Sequence, residues 1–252
     1  MSEEVLLKVV DLSKSFGGVK AVDKVSFELR RGEVLGIIGP NGSGKTTLVN
    51  MITGFVKPTS GKVYYRGKDI TGWPPHKVAN LGIARTFQTP RPFLRLSAYK
   101  NLVVPLYSPR ARRIAAAGGF GDRETVAMDL MEDVGYERDS SVPYKPAAAL
   151  PHGYLKRLEL ARCLALRPEI IITDELLSGL TVAEASTIAP LVEKLNMEGI
   201  TFIMVEHRLR ELFRLAHRVI VLEQGKKIAE GPPEKILEDE RVKKAYMGAE
   251  VI

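Results

Sequence analysis

Gly39-Pro40-Asn41-Gly42-Ser43-Gly44-Lys45-Thr46 decides the fold of this chain. The stretch fits G-x-x-x-x-G-K-[ST], a pattern that a chain of this size meets by chance on the order of once in a hundred. Val34–Ile38 before it is an apolar run closed by Gly39-Pro40, the pattern of a fully buried strand. After it a helix is expected from Lys45 through Leu48, Met51 and Ile52. Strand, glycine-rich loop and helix in that order make a phosphate-binding loop. The glycines let the backbone wrap closely and turn its N–H groups inward, and the helix offers the positive end of its dipole. Lys45 supplies charge to β- and γ-phosphates, and the Thr46 hydroxyl is placed to bind Mg²⁺. The nucleotide-binding set is Gly39, Pro40, Asn41, Gly42, Ser43, Gly44, Lys45, Thr46 and Thr47.

Outward from the loop, strand signals lie on both sides. Val5–Val10 is β-rich, and Val25, Phe27 and Leu29 alternate with Ser26, Glu28 and Arg30, the period of a half-buried strand. Lys62–Tyr65 and Gly82–Phe87 read as strands, and so do Glu169–Thr173, Thr201–Val205 and Arg218–Leu222. From about Gln88 to Leu166 the pattern is helical. One helix starts at Asp122 as N-cap and stops near Gly135; another carries Leu155, Leu158, Ala161, Leu164 and Ala165 on one face. Ser108–Gly121, rich in Arg, Ala and Gly, is expected as an exposed loop or frayed helix. Thr181 and Glu184 stand in capping-box spacing, and Pro190 should kink or break the helix they start. Pro233–Asp239 and Arg241–Met247 read as short helices. Strand and helix alternating at both ends imply an α/β fold with a mostly parallel sheet and a helical insertion.

Composition sets the bounds. At about 100–200 residues per domain, 252 residues imply one large domain or one with an insert. The 45% hydrophobic and 27% charged content excludes disorder and collagen. The single cysteine, Cys163, excludes an internal disulfide and implies a reducing compartment; on its helix it is a small buried residue rather than a nucleophile. No run approaches the roughly 20 apolar residues of a membrane span, and no secretory signal is expected. The net charge of +7 alone does not choose between nucleic acid, an anionic membrane surface and a phosphate ligand. Arg110, Arg112 and Arg113 are expected as a solvated basic face, and Trp73 as a packing residue in a turn.

Ile170-Ile171-Ile172-Thr173-Asp174-Glu175 is an apolar strand ending in two carboxylates. Beside a phosphate loop, Asp174 suits Mg²⁺ and Glu175 suits the general base that polarises the attacking water.

With these motifs the chain resembles ABC-type ATPases, the nucleotide-binding subunits of ATP-driven transporters, over essentially its whole length. The resemblance implies a P-loop RecA-like core with an antiparallel N-terminal β subdomain and an inserted α-helical subdomain. The core is 1–88 with 167–252, and the helical insert is 89–166. It implies that Phe16 stacks on adenine, that Gln88 touches Mg²⁺ and the attacking water, and that His207 contacts the γ-phosphate. Leu150-Pro151-His152-Gly153-Tyr154 then occupies the signature loop, which faces ATP held by a second subunit and typically reads Leu-Ser-Gly-Gly-Gln. Pro151 has neither a hydroxyl nor a backbone N–H. Losing one charge-assisted hydrogen bond there costs about 1.5–3 kcal/mol. Thr181 stands where the family usually has Asp, and Leu176 where it usually has Pro. A heterodimer with a second ABC ATPase subunit is therefore favoured, with a homodimer possible.

Leu12–Val22, Arg85-Thr86-Phe87-Gln88, the Ser108–Gly121 segment and the ending Ala245-Tyr246-Met247-Gly248 resemble the branched-chain amino acid uptake subfamily. Lipopolysaccharide-export and urea or amide transporter ATPases share these features. A catalytically weakened regulatory ABC subunit is a further alternative, and so is a soluble ABC ATPase acting on nucleic acid or ribosomes. The main reading implies ATP and Mg²⁺, membrane permease subunits, an indirect link to a solute-binding protein and a peripheral place on the cytoplasmic face of the plasma membrane. No nucleic-acid partner is expected. Phe93, Leu94, Leu96 and Tyr99 are candidates for a groove that takes a permease helix.

Overall fold

The computed structural model describes residues 4–116 and 122–246. Residues 117–121 of the Ser108–Gly121 segment, and Met247 and Gly248 of the closing motif, lie outside the described residues.

Strands β1 (Val5–Phe16), β2 (Val19–Arg30), β4 (Ser60–Tyr65) and β5 (Lys68–Asp69) form an antiparallel sheet in the order β2-β1-β4-β5. In β2 the period of two holds, with Val25, Phe27 and Leu29 buried and Ser26 and Glu28 turned outward. The second sheet collects β3 (Val34–Ile38), β6 (Ile83–Arg85), β7 (Ile170–Asp174), β8 (Thr201–Val205), β9 (Arg218–Glu223) and β10 (Lys226–Gly231). Its order is β10-β9-β3-β8-β7-β6, parallel throughout except for β10, an edge strand that the sequence pattern did not disclose. Every residue of β3, β7 and β8 is buried, as expected of strands covered on both faces.

Helix α1 (Lys45–Ile52) lies in a core shared by the two sheets, where Leu48, Met51 and Ile52 meet Leu7, Leu12, Val22 and Ile37. A second core joins the other face of the parallel sheet to the helical region. That region holds α3 (Ala98–Leu106), α4 (Pro109–Ile114), α5 (Arg123–Asp133) and α6 (His152–Ala165), and α2 (Pro75–Leu81) precedes it. The chain ends on α7 (Val182–Met197), α8 (Leu209–Leu215), α9 (Pro233–Glu238) and α10 (Glu240–Tyr246).

Some expectations fail for identifiable reasons. The Ser108–Gly121 segment is neither loop nor frayed helix over 109–114. Ser108 accepts from the Ala111 N–H as N-cap, Pro109 sits in the first turn, and Ala111 is buried. Arg110 is not part of a solvated face, because its guanidinium donates to the carbonyls of Leu81 at 2.6 Å and Arg167 at 2.8 Å. Pro190 does not break α7; it occupies the exposed side, where water can satisfy the carbonyl that loses its helical donor. The capping box that opens α7 forms as expected, between Thr181 and Glu184.

Candidate functional site

Four loops meet at the carboxyl ends of the parallel strands β3, β6, β7 and β8, the place where open α/β sheets bind ligands. The loop after β3 is the glycine-rich one. Gly39 and Gly44 have φ of 151° and 103°. A Cβ at Gly39 would stand 2.1 Å from the Leu222 carbonyl oxygen, and one at Gly44 would stand 2.3 Å from that of Ala21 in β2. No other residue type fits either position. The turn between β9 and β10 braces the loop: the Gly225 N–H donates to the Ser43 carbonyl at 3.1 Å, and the Gly225 carbonyl accepts from the Asp23 N–H at 2.8 Å.

Lys45 opens α1 but is buried, and its ammonium donates to the carbonyls of Gly39 at 2.7 Å and Pro40 at 3.0 Å. Burial holds its pKa below the ordinary lysine value, against the pull of Glu175 and Asp174. Thr46 is exposed and Thr47 half-buried, with Asn41 and Gly42 exposed on the loop. The buried Ser43 hydroxyl has no hydrogen-bond partner, and Gly44 gives α1 no side-chain cap. An orphaned hydroxyl, a helix start without a side-chain cap and a glycine cradle suit a phosphate chain.

At the end of β7, Asp174 is buried and Glu175 adopts φ 54°, a left-handed backbone that is rare for a residue with a side chain. That turn brings the Glu175 carboxylate between two polar groups. Gln88 Nε2 donates to its Oε2 at 2.8 Å, and His207 Nε2 lies 3.0 Å from its Oε1. The predicted residues Gln88, Glu175 and His207 thus come together, with Lys45 and Asp174 near enough to interact electrostatically. Among the described residues no three His, Cys, Asp or Glu side chains cluster as a metal site. The expected Mg²⁺ donors, Thr46, Gln88 and Asp174, would offer one hydroxyl, one amide and one carboxylate. Such a sparse set suits Mg²⁺, which is commonly shared with substrate phosphates.

Phe16 closes β1 at the Gly17-Gly18 hairpin, half exposed, with Lys14 Nζ 5.0 Å from its ring centre. The signature segment leads into α6. Leu150 and Gly153 are buried, Pro151 and His152 exposed, and Tyr154 half-buried against Tyr136, whose hydroxyl donates to the Tyr154 carbonyl at 2.6 Å. Pro151 is the N-cap of α6 and gives no side-chain cap. Gly153 backs onto Glu184, the partner of Thr181 in the capping box: an added Cβ would stand 2.6 Å from Glu184 Oε1.

Three contributors escaped the sequence patterns. Lys156, one of the most deeply buried side chains, donates from Nζ to the carbonyls of Gln88 at 2.7 Å and Glu175 at 2.8 Å. Glu159, also buried, accepts from the N–H groups of Phe87 at 2.9 Å and Arg91 at 2.7 Å. Helix α6 therefore clamps the Gln88 segment with two opposite charges spaced three residues apart. Arg85 forms a buried ion pair with Asp174 at 2.6 Å. The one available signal was the charge of Lys156 and Glu159 among apolar neighbours. A groove beside this region is lined by Phe55, Phe87, His76, Ala79 and Leu166. Of the candidates for a permease groove, Phe93 and Leu94 are exposed, Leu96 is half-buried, and Tyr99 packs edge-on against Tyr144.

Comparisons with known proteins agree with this geometry. The ABC transporter family matches residues 22–178, and the branched-chain amino acid ATP-binding cassette transporter family matches residues 226–252. The chain is 35% identical to the high-affinity branched-chain amino acid transport ATP-binding protein BraF of Pseudomonas aeruginosa, over 96% of this chain and 98% of that one. It is 34% identical to the corresponding LivG of Escherichia coli, with the same coverage. Among solved structures, the ADP conformation of MJ1267, an ATP-binding cassette of an ABC transporter, superposes with a TM-score of 0.84 at 34% identity, covering 97% of this chain and 99% of that one. The dimeric post-hydrolysis state of the cassette MJ0796, bound to ADP and Pi, superposes at 0.77 with 26% identity, covering 90% of this chain and 99% of that one. Among the described residues no helix is long and apolar enough to cross a membrane. A phosphate loop after β3, a carboxylate held at the end of β7 two strands away and a likeness that runs the length of the chain make this protein a member of the ABC transporter family, one of its ATP-hydrolysing cassettes.

Proposed function

We propose that this chain powers the uptake of branched-chain amino acids through separate membrane permease subunits, from a peripheral position on the cytoplasmic face of the membrane. The hydrolytic part rests on one observation: the Glu175 carboxylate lies between Gln88 and His207, at 2.8 and 3.0 Å, beside Lys45. The transported class rests on the match of residues 226–252 and the likeness to branched-chain transport ATPases. The nucleotide core is 1–88 with 167–252, and 89–166 is the helical subdomain.

In this reading Phe16 receives the adenine, the backbone from Gly39 to Gly44 surrounds the phosphates, and Lys45 exchanges its loop carbonyls for β- and γ-phosphate oxygens. Thr46, Asp174 and Gln88 would hold Mg²⁺, which would supply positive charge to offset that of the phosphates. Glu175 takes the proton of the attacking water. Gln88 fixes one oxygen of that carboxylate, and His207 the other, so the base points one way. The groove lined by Phe55 and Phe87 receives a permease helix. Because Pro151 weakens what this chain offers to an opposite site and Thr181 lacks the family's charge, the second subunit is a different ABC ATPase with an ordinary signature loop. Hydrolysis then runs mainly at this chain's own phosphate loop.

The test is uptake into vesicles holding the chain with its co-purified permeases and second ATPase. ATP-dependent accumulation of leucine, isoleucine and valine is expected. Accumulation of urea or amides instead, lipopolysaccharide export, or inactivity with every partner would each replace this reading.

A further inference from the structure

Arg85 closes β6, and its side chain is almost fully shielded from water. Its guanidinium is fixed from several directions. Nη2 donates to Asp174 Oδ2 at 2.6 Å, while Nη1 donates to Asn50 Oδ1 at 2.5 Å and Thr53 Oγ1 at 3.3 Å. The rings of Phe55 and Phe87, themselves in edge contact at 5.5 Å, lie 5.6 and 5.2 Å from the guanidinium carbon. Asn50 belongs to α1 and Thr53 caps its C-terminal end. The carboxylate of β7 is thereby tied through one planar group to the helix that carries Lys45 and Thr46.

A carboxylate can serve a metal only if one oxygen is held in a fixed direction, and a fork-shaped group on the other oxygen fixes its rotamer. We propose that Arg85 is a positioning residue for Mg²⁺-dependent nucleotide binding: it orients Asp174 by Oδ2, leaving Oδ1 for the metal shell. This rests on the reading of Asp174 as an Mg²⁺-holding residue.

The experiment is a titration of the full-length chain with a fluorescent ATP analogue, in EDTA and over a series of Mg²⁺ concentrations. For Arg85→Ala and Arg85→Met, the Mg²⁺ concentration giving half-maximal tightening should rise about 10–100-fold, the range seen when the partner of a metal ligand is removed. Affinity in EDTA should stay within about twofold of the parent, which also reports that the phosphate loop is folded. Arg85→Lys should fall between, since it keeps the charge and loses the fork. Asp174→Asn is the control for the underlying reading. If Asp174→Asn shifts the Mg²⁺ dependence and the Arg85 variants do not, Arg85 has no positioning role. If the Arg85 variants bind Mg²⁺ more tightly, Arg85 competes with the metal and the proposal is overturned. If Asp174→Asn leaves the dependence unchanged, the metal role of Asp174 fails first, and this proposal with it. A loss of EDTA affinity in every Arg85 variant, Lys included, would overturn it in favour of a general structural role.

Discussion

Glu175 Oε1 and His207 Nε2 lie 3.0 Å apart, joining the loop after β7 to the loop after β8. The contact gives the carboxylate a fixed direction, so removing either group should affect chemistry more than binding. Glu175→Gln should lower phosphate release by about 10²–10⁴-fold, the range for loss of a general base. ATP affinity measured at equilibrium should hardly change. His207→Ala should lower kcat with a smaller effect on KM. A parallel loss of affinity in both variants would mean that the pair serves nucleotide binding.

Lys156 anchors the backbone of both Gln88 and Glu175. Lys156→Met keeps the length and removes the donors. Each lost charge-assisted bond is worth about 1.5–3 kcal/mol, so a lower Tm and a kcat reduced about tenfold or more are expected, with ATP affinity retained. Lys156→Arg should recover part of the rate. Full activity in Lys156→Met would show that the left-handed turn at Glu175 stands without this anchor.

Glu206 is buried beside Lys156 and accepts from the Leu177 N–H at 3.1 Å, and burial pushes its pKa up to about 8. Raising the pKa on folding means that the folded state holds a proton the unfolded chain has released. Stability contributed by this group is therefore lost as pH rises from about 4.5 to 8. Glu206→Gln keeps an acceptor for Leu177 and does not titrate. Its Tm, relative to the parent, should be higher at pH 8 than at pH 5. For a chain of this length each kcal/mol is worth roughly 2–4 °C. The same difference at both pH values would exclude a raised pKa.

Pro151 leaves α6 without a side-chain cap. Pro151→Ser supplies a hydroxyl at that position, and a gain of about 0.5–2 kcal/mol in unfolding free energy is expected by denaturant titration. In a mixed dimer the same variant should raise hydrolysis at the opposite site. Gain of stability without gain of rate would place the asymmetry outside this loop.

Cys163 is buried and its thiol is pushed up by burial. Ellman's reagent should leave the native chain unmodified and react once with the chain in guanidinium chloride. Rapid reaction of the native protein would show that α6 opens readily.

The site was legible where chemistry forces a local spelling. Gly39 and Gly44 must be glycine because of carbonyls beside them, and the run ending in Asp174-Glu175 announces a buried strand with charge at its tip. It was illegible where a contact is created only by folding. Arg85 and Asp174 are 89 positions apart, and Lys156 and Gln88 are 68 apart. On α6 the apolar spacing located the helix and the burial of Cys163 but concealed that Lys156 and Glu159 are interior as well. Helix α4 hid behind its arginines, because a sequence does not show that Arg110 will find the carbonyls of Leu81 and Arg167. At Pro190 the expected break does not occur, since α7 runs on through it with the proline on the exposed side.

The approach of Gly44 to the Ala21 carbonyl has one more consequence. Main chain meets main chain there, with no side chain between to swing or compress, and Gly225 closes the same joint from the turn before β10. The hairpin bearing Phe16 and the loop bearing Lys45 therefore form one rigid jaw whose opening is set by backbone alone. On the proposed seating, the distance between a base at Phe16 and phosphates at Lys45 is set by main chain and not by movable side chains.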